Sequence, residues 1–366
     1  MVAQVGNSLA HDWILDWLHD NPVVVALHEL VLHHVVAAMT VGRGRADRYV
    51  DAMGVEAGPS GRLLAHAAVE GLTGPLWEAA PERYPLTHVA LRHATGVIVH
   101  SRFSAEHLRL MRPGMPVDVV PLPAPPPLGV APERLPGDPF PVIGVFGFVT
   151  PHKRLPVVVR AFARLRAAMP RARLLVVGSA PPALDPARLA ADAGLPAEAL
   201  DLVGFADGAR FEALMRATDV GVALRHPTLG ETSAVVVRML GLGVPVCVST
   251  GGWYDELPDD AVARIPPGRG EADLLAAVLA RLARDESLRR GMSEAGREHA
   301  ERALSPRATA DAYLRALLAP RGRERLREEL LGRVAARLDE VTTAEARPRS
   351  GVMAAVGDAM RSLEGL

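Results

Sequence analysis

The sequence predicts an α/β protein made of two doubly wound, parallel-stranded domains. Three observations lead there. Short β-branched runs alternate with helical stretches along the chain, which is the pattern of β-α-β units and a parallel sheet. The 366 residues suffice for two domains, at roughly 100–200 residues each. The stretch PLPAPPPLGVAPERLPGDPFP at 121–141 splits the alternation in two. It reads as a linker, because each proline removes a backbone donor that an element interior would need. The expected division is therefore 1–122 for the first domain, 123–140 for the linker, 141–305 for the second domain and 306–366 for C-terminal helices.

In the first domain, strands are expected at Val2–Val5, Val23–Leu27, Gly96–His100 and Val117–Pro121. Helical periodicity falls at Leu9–His19, Glu29–Met39, Arg45–Met53, Pro85–His93 and Ser104–Met111. In the second domain, strands are expected at Val142–Phe146, Arg173–Val177, Asp201–Val203, Val220–Ala223 and Val244–Val248. Helices are expected at Leu155–Ala168, Pro186–Asp192, Gly208–Ala217, Thr232–Leu242 and Glu271–Leu282, followed by Glu286–Arg302 and Pro306–Leu318. An open sheet of this kind binds ligands beyond the carboxyl ends of its strands. The tail, Arg321–Leu366, is charged and helical in period, with a break near Thr342–Gly351. It reads as a solvated or partner-facing helix.

Composition excludes several classes. A net charge of -1 provides no basic field for nucleic acid. The single cysteine, Cys247, rules out a disulfide framework, and a cytoplasmic protein is the simplest reading. The longest apolar run, Pro22–Met39, is interrupted by His28, Glu29, His33 and His34, so it is not a membrane span. The first residues lack a basic stretch leading into an apolar one, so no signal peptide is expected. Peripheral contact with a membrane stays open on composition alone. No G-x-G-x-x-G follows a strand, which argues against a dinucleotide-dependent dehydrogenase.

Two segments carry chemistry. In GVFGFVTPHKRLPVVVRAF (144–162), an apolar strand enters a glycine turn at Gly147, and a helix begins near Leu155. Lys153 is the only lysine among 41 basic residues. Lysine is a compact point charge and arginine a planar fork, so a surviving lysine is expected at a site where arginine does not serve, the alternative being chance survival on a solvated surface. Lys153 and Arg154 at a helix N-terminus oppose the macrodipole, unless an anion is bound there and free amides and cations converge on it. In LRHPTLGETSAVVVRMLGLGVPVCVST (224–250), a turn at Gly230 precedes a helix that Thr232 and Ser233 can cap, with Glu231 at its mouth. Read alone, Glu231 is better taken as a first-turn carboxylate favoured by the helix dipole.

Taken together, Val142 to about Arg302 resembles the retaining GT-B glycosyltransferases of family 4, the glycosyl transferases group 1 type. LLVVGSAP (174–181), LVGFAD (202–207) and FEALMRATDVGVAL (211–224) fall in order between the two segments above. The resemblance implies a GT-B architecture: two Rossmann-like domains facing a cleft, with C-terminal helices. It implies a nucleoside diphosphate sugar such as a UDP- or GDP-sugar as donor, a hydroxyl acceptor, no metal and no further cofactor. Lys153 would contact the donor diphosphate, beside the turn glycine Gly147. Gly178, Gly204 and Phe205 would hold the nucleoside, Glu231 the donor sugar, and Thr232 and Ser233 the phosphates and sugar. Two positions depart from the pattern. The arginine usually beside the turn glycine is Phe148, and the second glutamate of E-x7-E falls on Arg238, with one residue fewer between. Arg238 cannot accept the hydrogen bonds of ribose hydroxyls. A GETS segment followed by arginine is a recurring variant of the family.

The first domain also resembles these enzymes, at VAQVGNSLAHDWILDWLHDNPVVVALHELVLHH (2–34) and VIVHSRFSAEHL (97–108). His28, after a strand, matches a histidine that faces the donor sugar, and Asn7 and His11 would line the same cleft. His33 and His34 lack a carboxylate or cysteine at ligand spacing, so a metal site is not expected. The opening strand, glycine-rich turn and helix of the family have no counterpart, so this domain is expected to be incomplete. A longer gene, a reduced domain or a partner chain completing it would each account for that, and tail helices or the partner would cover the exposed sheet edge. The expected function is transfer of a sugar to a glycan, lipid-linked or small-molecule hydroxyl. The rival is a non-catalytic, partner-dependent binding or scaffold protein of the same fold.

Overall fold

The computed structural model describes residues 1–319; the expected tail at 321–366 lies outside the described residues. The first sheet has four parallel strands, β1 (Val2–Val5), β2 (Val24–Leu27), β3 (Gly96–Val99) and β4 (Val117–Val119), in that spatial order. Helix α1 (Asp12–Leu18) links β1 to β2. Helices α2 (His33–Thr40), α3 (Ala46–Val69), α4 (Leu76–Ala79) and α5 (His88–Leu91) lie between β2 and β3, and α6 (Arg102–Met111) follows β3. Val5, Leu27, Val97 and Val99 of the strands pack with Leu32, Val36, Tyr49, Met53 and Leu108 in one core.

The second sheet is built from β5 (Val142–Phe146), β6 (Arg173–Val177), β7 (Leu200–Val203), β8 (Val220–Ala223), β9 (Val246–Ser249) and β10 (Val262–Ile265). The strands are parallel and stand in the order β7-β6-β5-β8-β9-β10. The order reverses between β5 and β8, which is the switch point where a doubly wound sheet opens a crevice. Helices α7 (Leu155–Ala168), α8 (Pro186–Asp192), α9 (Gly208–Arg216), α10 (Ala234–Leu242), α11 (Glu271–Arg284) and α12 (Glu286–Ala303) complete this domain. Alternation along β5 serves both faces: Ile143 and Val145 pack with α7 and α11, Val142 and Phe146 with α10. Asp185, Asp207, Ser233 and Asp285 cap α8, α9, α10 and α12 with their side chains.

The proline-rich segment contains no regular element and lies docked on the second domain. Ala124 N donates to Leu304 O at 2.6 Å, and Leu128 N to the Glu212 carboxylate at 3.0 Å. After α12, the helix α13 (Pro306–Leu318) returns to the first sheet. Its Ala312 packs with Ala26, Ile98 and Val120, and Thr309 Oγ1 donates to Pro121 O at 3.1 Å. This helix covers a face of the first sheet, with Gln4 of β1 reaching Tyr313 Oη at 3.3 Å.

Some elements differ from expectation, for identifiable reasons. The helix expected from Glu29 begins only at His33. The amides of Leu30 and Val31 are instead committed to Leu229 O at 2.9 and 3.1 Å, and Leu32 N to Pro85 O at 2.7 Å. The helix expected over Arg45–Met53 continues to Val69, interrupted by non-helical Ala57 and Gly58 just before Pro59. Pro85–His93 contracts to the single turn α5. Strand β10, unanticipated, pairs with β9 at the sheet edge. Among the described residues no helix is long and apolar enough to cross a membrane.

Candidate active site

The switch point sets two cations side by side. After β5 the chain turns at Gly147 (φ 82°), passes a 3-10 turn at Pro151–Lys153 and enters α7. After β8 it reaches Arg225 directly. Lys153 Nζ is near Phe146 O at 3.4 Å and makes no salt bridge among the described residues. Burial, reinforced by the nearby Arg225, pushes its ammonium down to about 7. Arg225 Nη1 donates to His152 Nε2 at 2.7 Å; since arginine only donates, His152 is held as an acceptor there. Burial, then Arg225 and Lys153, hold the His152 imidazole at about 3. Arg154 does not join this cluster, correcting the expectation of two converging cations. Its backbone sits in the left-handed region (φ 58°), and its guanidinium pairs with the buried Glu271 at the start of α11.

Glu231 faces these cations. Its Oε2 accepts from Leu229 N at 2.7 Å, while Oε1 lies 3.4 Å from Arg225 Nε without a hydrogen bond. Ser233 Oγ caps α10, accepting from Val236 N at 3.3 Å, and its O–H remains a donor. Thr232 takes no part in that cap, and its buried Oγ1 has no hydrogen-bond partner among the described residues. A buried polar atom left open costs about 1–3 kcal/mol unless a ligand satisfies it.

The first domain supplies the opposite wall. His28 follows β2, its N–H donating to Val5 O at 2.9 Å. Its Nδ1 is 3.2 Å from His100 Nε2, and its ring centroid 6.4 Å from that of His11. Burial first, then His100 and His11, hold the His28 imidazole at about 4. Glu29 Oε1 accepts from Asn7 N at 3.0 Å. Burial pushes this carboxyl up to about 7, with Glu231 across the cleft adding to the push. Asn7 is structurally committed: its Oδ1 accepts from Val35 N at 2.9 Å in the first turn of α2, and its Nδ2 meets His34 Nδ1 at 3.0 Å. His11 turns back to Ser8 Oγ at 3.2 Å.

The cleft is pinned by contacts between the domains. Leu229 O takes the amides of Leu30 and Val31, and Gly230 O accepts from Ser104 Oγ at 2.8 Å. The Glu256 carboxylate accepts from the Arg102 and Phe103 amides at 3.0 and 2.8 Å, capping α6 from the other domain.

The remaining expected residues scatter around the crevice. Gly178 (φ 140°) stands where a Cβ would be 2.5 Å from Gly147 O, so the loops after β5 and β6 touch. Gly204 has open space around it, and Phe205 is exposed. Arg238 lies over the Phe211 ring, 5.7 Å from its centroid, and Phe211 meets Phe146 edge-on. His33 is a core residue hydrogen-bonded to Tyr49 Oη at 2.7 Å. Among the described residues no group of three His, Cys, Asp or Glu could hold a metal ion. A cavity of about 850 Å³ between β10, α11 and α12, lined by residues such as Val262, Arg281 and Leu288, includes none of the cleft residues.

Sequence reasoning missed Arg225, His152, Glu29 and His100. Arg225 had a legible signal: it is the second residue after a strand expected to end at Ala223, beside the switch point. His152 and His100 become visible only once neighbouring strands set them against Arg225 and His28, and Glu29 only when the two domains face each other.

Two parallel Rossmann-like domains facing a cleft define the GT-B fold. Residues 132–299 match the family described as glycosyl transferases group 1, so the second domain carries that family's signature. Sucrose-phosphate synthase from Thermosynechococcus elongatus superposes with a TM-score of 0.58 at 19% identity, over 85% of this chain and 71% of that one. Anabaena HepE, solved with UDP and glucose, gives 0.53 at 16% identity, over 86% and 98%. A glycosyltransferase from Rickettsia africae gives 0.53 at 12%, over 89% and 98%. At these identities the likeness is one of fold. No curated protein matches the sequence.

Proposed function

We propose that the protein is a retaining, metal-independent glycosyltransferase of family 4, moving a sugar from a nucleoside diphosphate sugar to a hydroxyl on a glycan, lipid-linked sugar or small molecule. One observation carries this reading: the half-buried Lys153 ammonium, without a salt bridge among the described residues, stands beside Arg225 at the switch point of the second sheet. Two cations face the Glu231 carboxylate while burial pushes the Glu29 carboxyl towards its neutral form, which leaves positive charge for a diphosphate, and an anion there would restore the full charge of Lys153. In the reaction both would stabilise the negative charge developing on the departing diphosphate. Glu231 Oε1, open to a donor, would accept from sugar hydroxyls, and Thr232 Oγ1 would give or take a further bond. His28 would approach the sugar near its anomeric carbon. The protein would act in the cytoplasm, free or at a membrane surface, with the domains closing through the Leu229 contacts to exclude water.

A binding or scaffold role without turnover is favoured by one feature: the ribose-side position holds Arg238, stacked on Phe211, in place of an acceptor. Titration calorimetry with UDP and GDP on the parent and Lys153→Ala tests the first reading. Binding by the parent that is lost in the variant supports it; no binding of either nucleotide overturns it. Binding without transfer from any UDP- or GDP-sugar turns the assignment to the second reading, and an NMR spectrum of a transfer product reads the anomeric configuration.

A further inference from the structure

His28 belongs to a chain of hydrogen bonds whose polarity is fixed at its far end. His100 Nδ1 lies 2.8 Å from the carbonyl oxygen of Val120. A carbonyl only accepts, so the His100 proton sits on Nδ1. The neutral ring then has a bare Nε2, which lies 3.2 Å from His28 Nδ1. That contact is a hydrogen bond only if His28 Nδ1 carries a proton. Neutral His28 must therefore leave its Nε2 bare. His100 is itself buried at the end of β3, its ring plane 29° from that of His28 with 5.0 Å between centroids, and burial lowers its affinity for a second proton. The other ring beside His28 is His11, held towards Ser8. Among the described residues, Nε2 of His28 takes no hydrogen bond.

We propose that His100 is a positioning residue that fixes the tautomer of His28, so that Nε2 of His28 meets a substrate hydroxyl as a hydrogen-bond acceptor and never as a donor. The inference rests on the glycosyltransferase reading for the identity of the hydroxyl, but the tautomer itself is a property of the free protein. It also defines the group recognised: a hydroxyl that can donate, on sugar or acceptor, and not an ether or carbonyl oxygen.

Long-range ¹H–¹⁵N correlation spectra of the ¹⁵N-labelled full chain at neutral pH read the protonation of each ring nitrogen. The expected result is Nδ1–H with bare Nε2 for both His28 and His100. His100→Phe keeps a ring but removes the acceptor; His28 should then shift towards Nε2–H, and kcat should fall about tenfold with little change in nucleotide affinity. His100→Gln restores an acceptor and should recover the parent His28 spectrum and much of kcat. A proton on His28 Nε2 in the parent, or an unchanged His28 spectrum in His100→Phe, overturns the proposal. If the spectra are as expected but neither UDP nor GDP binds, the assignment of His100 stands and the glycosyltransferase reading falls.

Discussion

A methyl group placed on Gly230 would stand 2.5 Å from Cγ of Leu30, a residue of the other domain. The glycine also has φ 76°, a conformation that side chains resist. The turn that carries Glu231 is thus seated against the first domain with no room for a Cβ. Gly230→Ala should lower stability by about 1 kcal/mol or more. It should also weaken nucleotide-dependent protection of the turn, read by hydrogen exchange at residues 228–233; unchanged exchange and melting temperature would contradict this.

Lys153 ties nucleotide affinity to pH. Its ammonium is lowered to about 7 in the free protein, and a bound diphosphate favours the charged form. Binding above pH 7 should therefore take up a proton, and affinity should fall as pH rises from 7 to 9. Calorimetry in buffers of different ionisation enthalpy measures the uptake. In Lys153→Ala, affinity should drop roughly 10–100-fold, the range for losing a charged hydrogen bond, and the Lys153-linked proton uptake should vanish.

Glu29 is shifted in the opposite direction, upward, and its test is of stability. Its carboxyl is raised to about 7 from 4.5, so the folded state holds this proton over a range where the unfolded chain has released it. The stability of the parent falls as pH rises from about 4.5 to about 7, as far as this group is concerned. Glu29→Gln should be more stable than the parent at pH 8, by on the order of 1 kcal/mol, with the difference closing towards pH 4.5. Thermal melts of both proteins across that range decide it.

Glu256 caps a helix it does not belong to, bonding the Arg102 and Phe103 amides of α6. Glu256→Ala should cost about 1 kcal/mol, as lost caps do. The loss should appear as independent melting of the two domains in calorimetry, since the contact removed lies between them. A single unshifted transition would contradict the coupling role.

The helices of the second domain, and α13 after them, were legible because their ends are written locally. Pro156 near the start of α7, Asp185 before Pro186 and Ser305 before Pro306 mark the starts of three helices found where the pattern places them. The segment at 29–32 was illegible for the converse reason. Its helical periodicity is real, but Leu229 O takes two of its amides, and that carbonyl lies about two hundred residues along the chain. The site divides similarly. Lys153 and Glu231 announce themselves through turn chemistry and residue type. The pairing of Arg154 with Glu271 and the coupling of Glu29 to Glu231 depend on which elements come to face each other.

The chain crosses between its domains twice, outward through the segment after β4 and back through the start of α13, and the two crossings are stitched together where Ala124 N meets Leu304 O. A protein joined by one strand can exchange a domain with a second copy by opening a single loop. Here an exchange would have to carry α13 along with the first sheet and reseat Ala312 on Ala26, Ile98 and Val120 in the new pairing. The returning helix therefore makes any such exchange a two-crossing event, in which α13 must leave the first sheet before that sheet can leave the second domain.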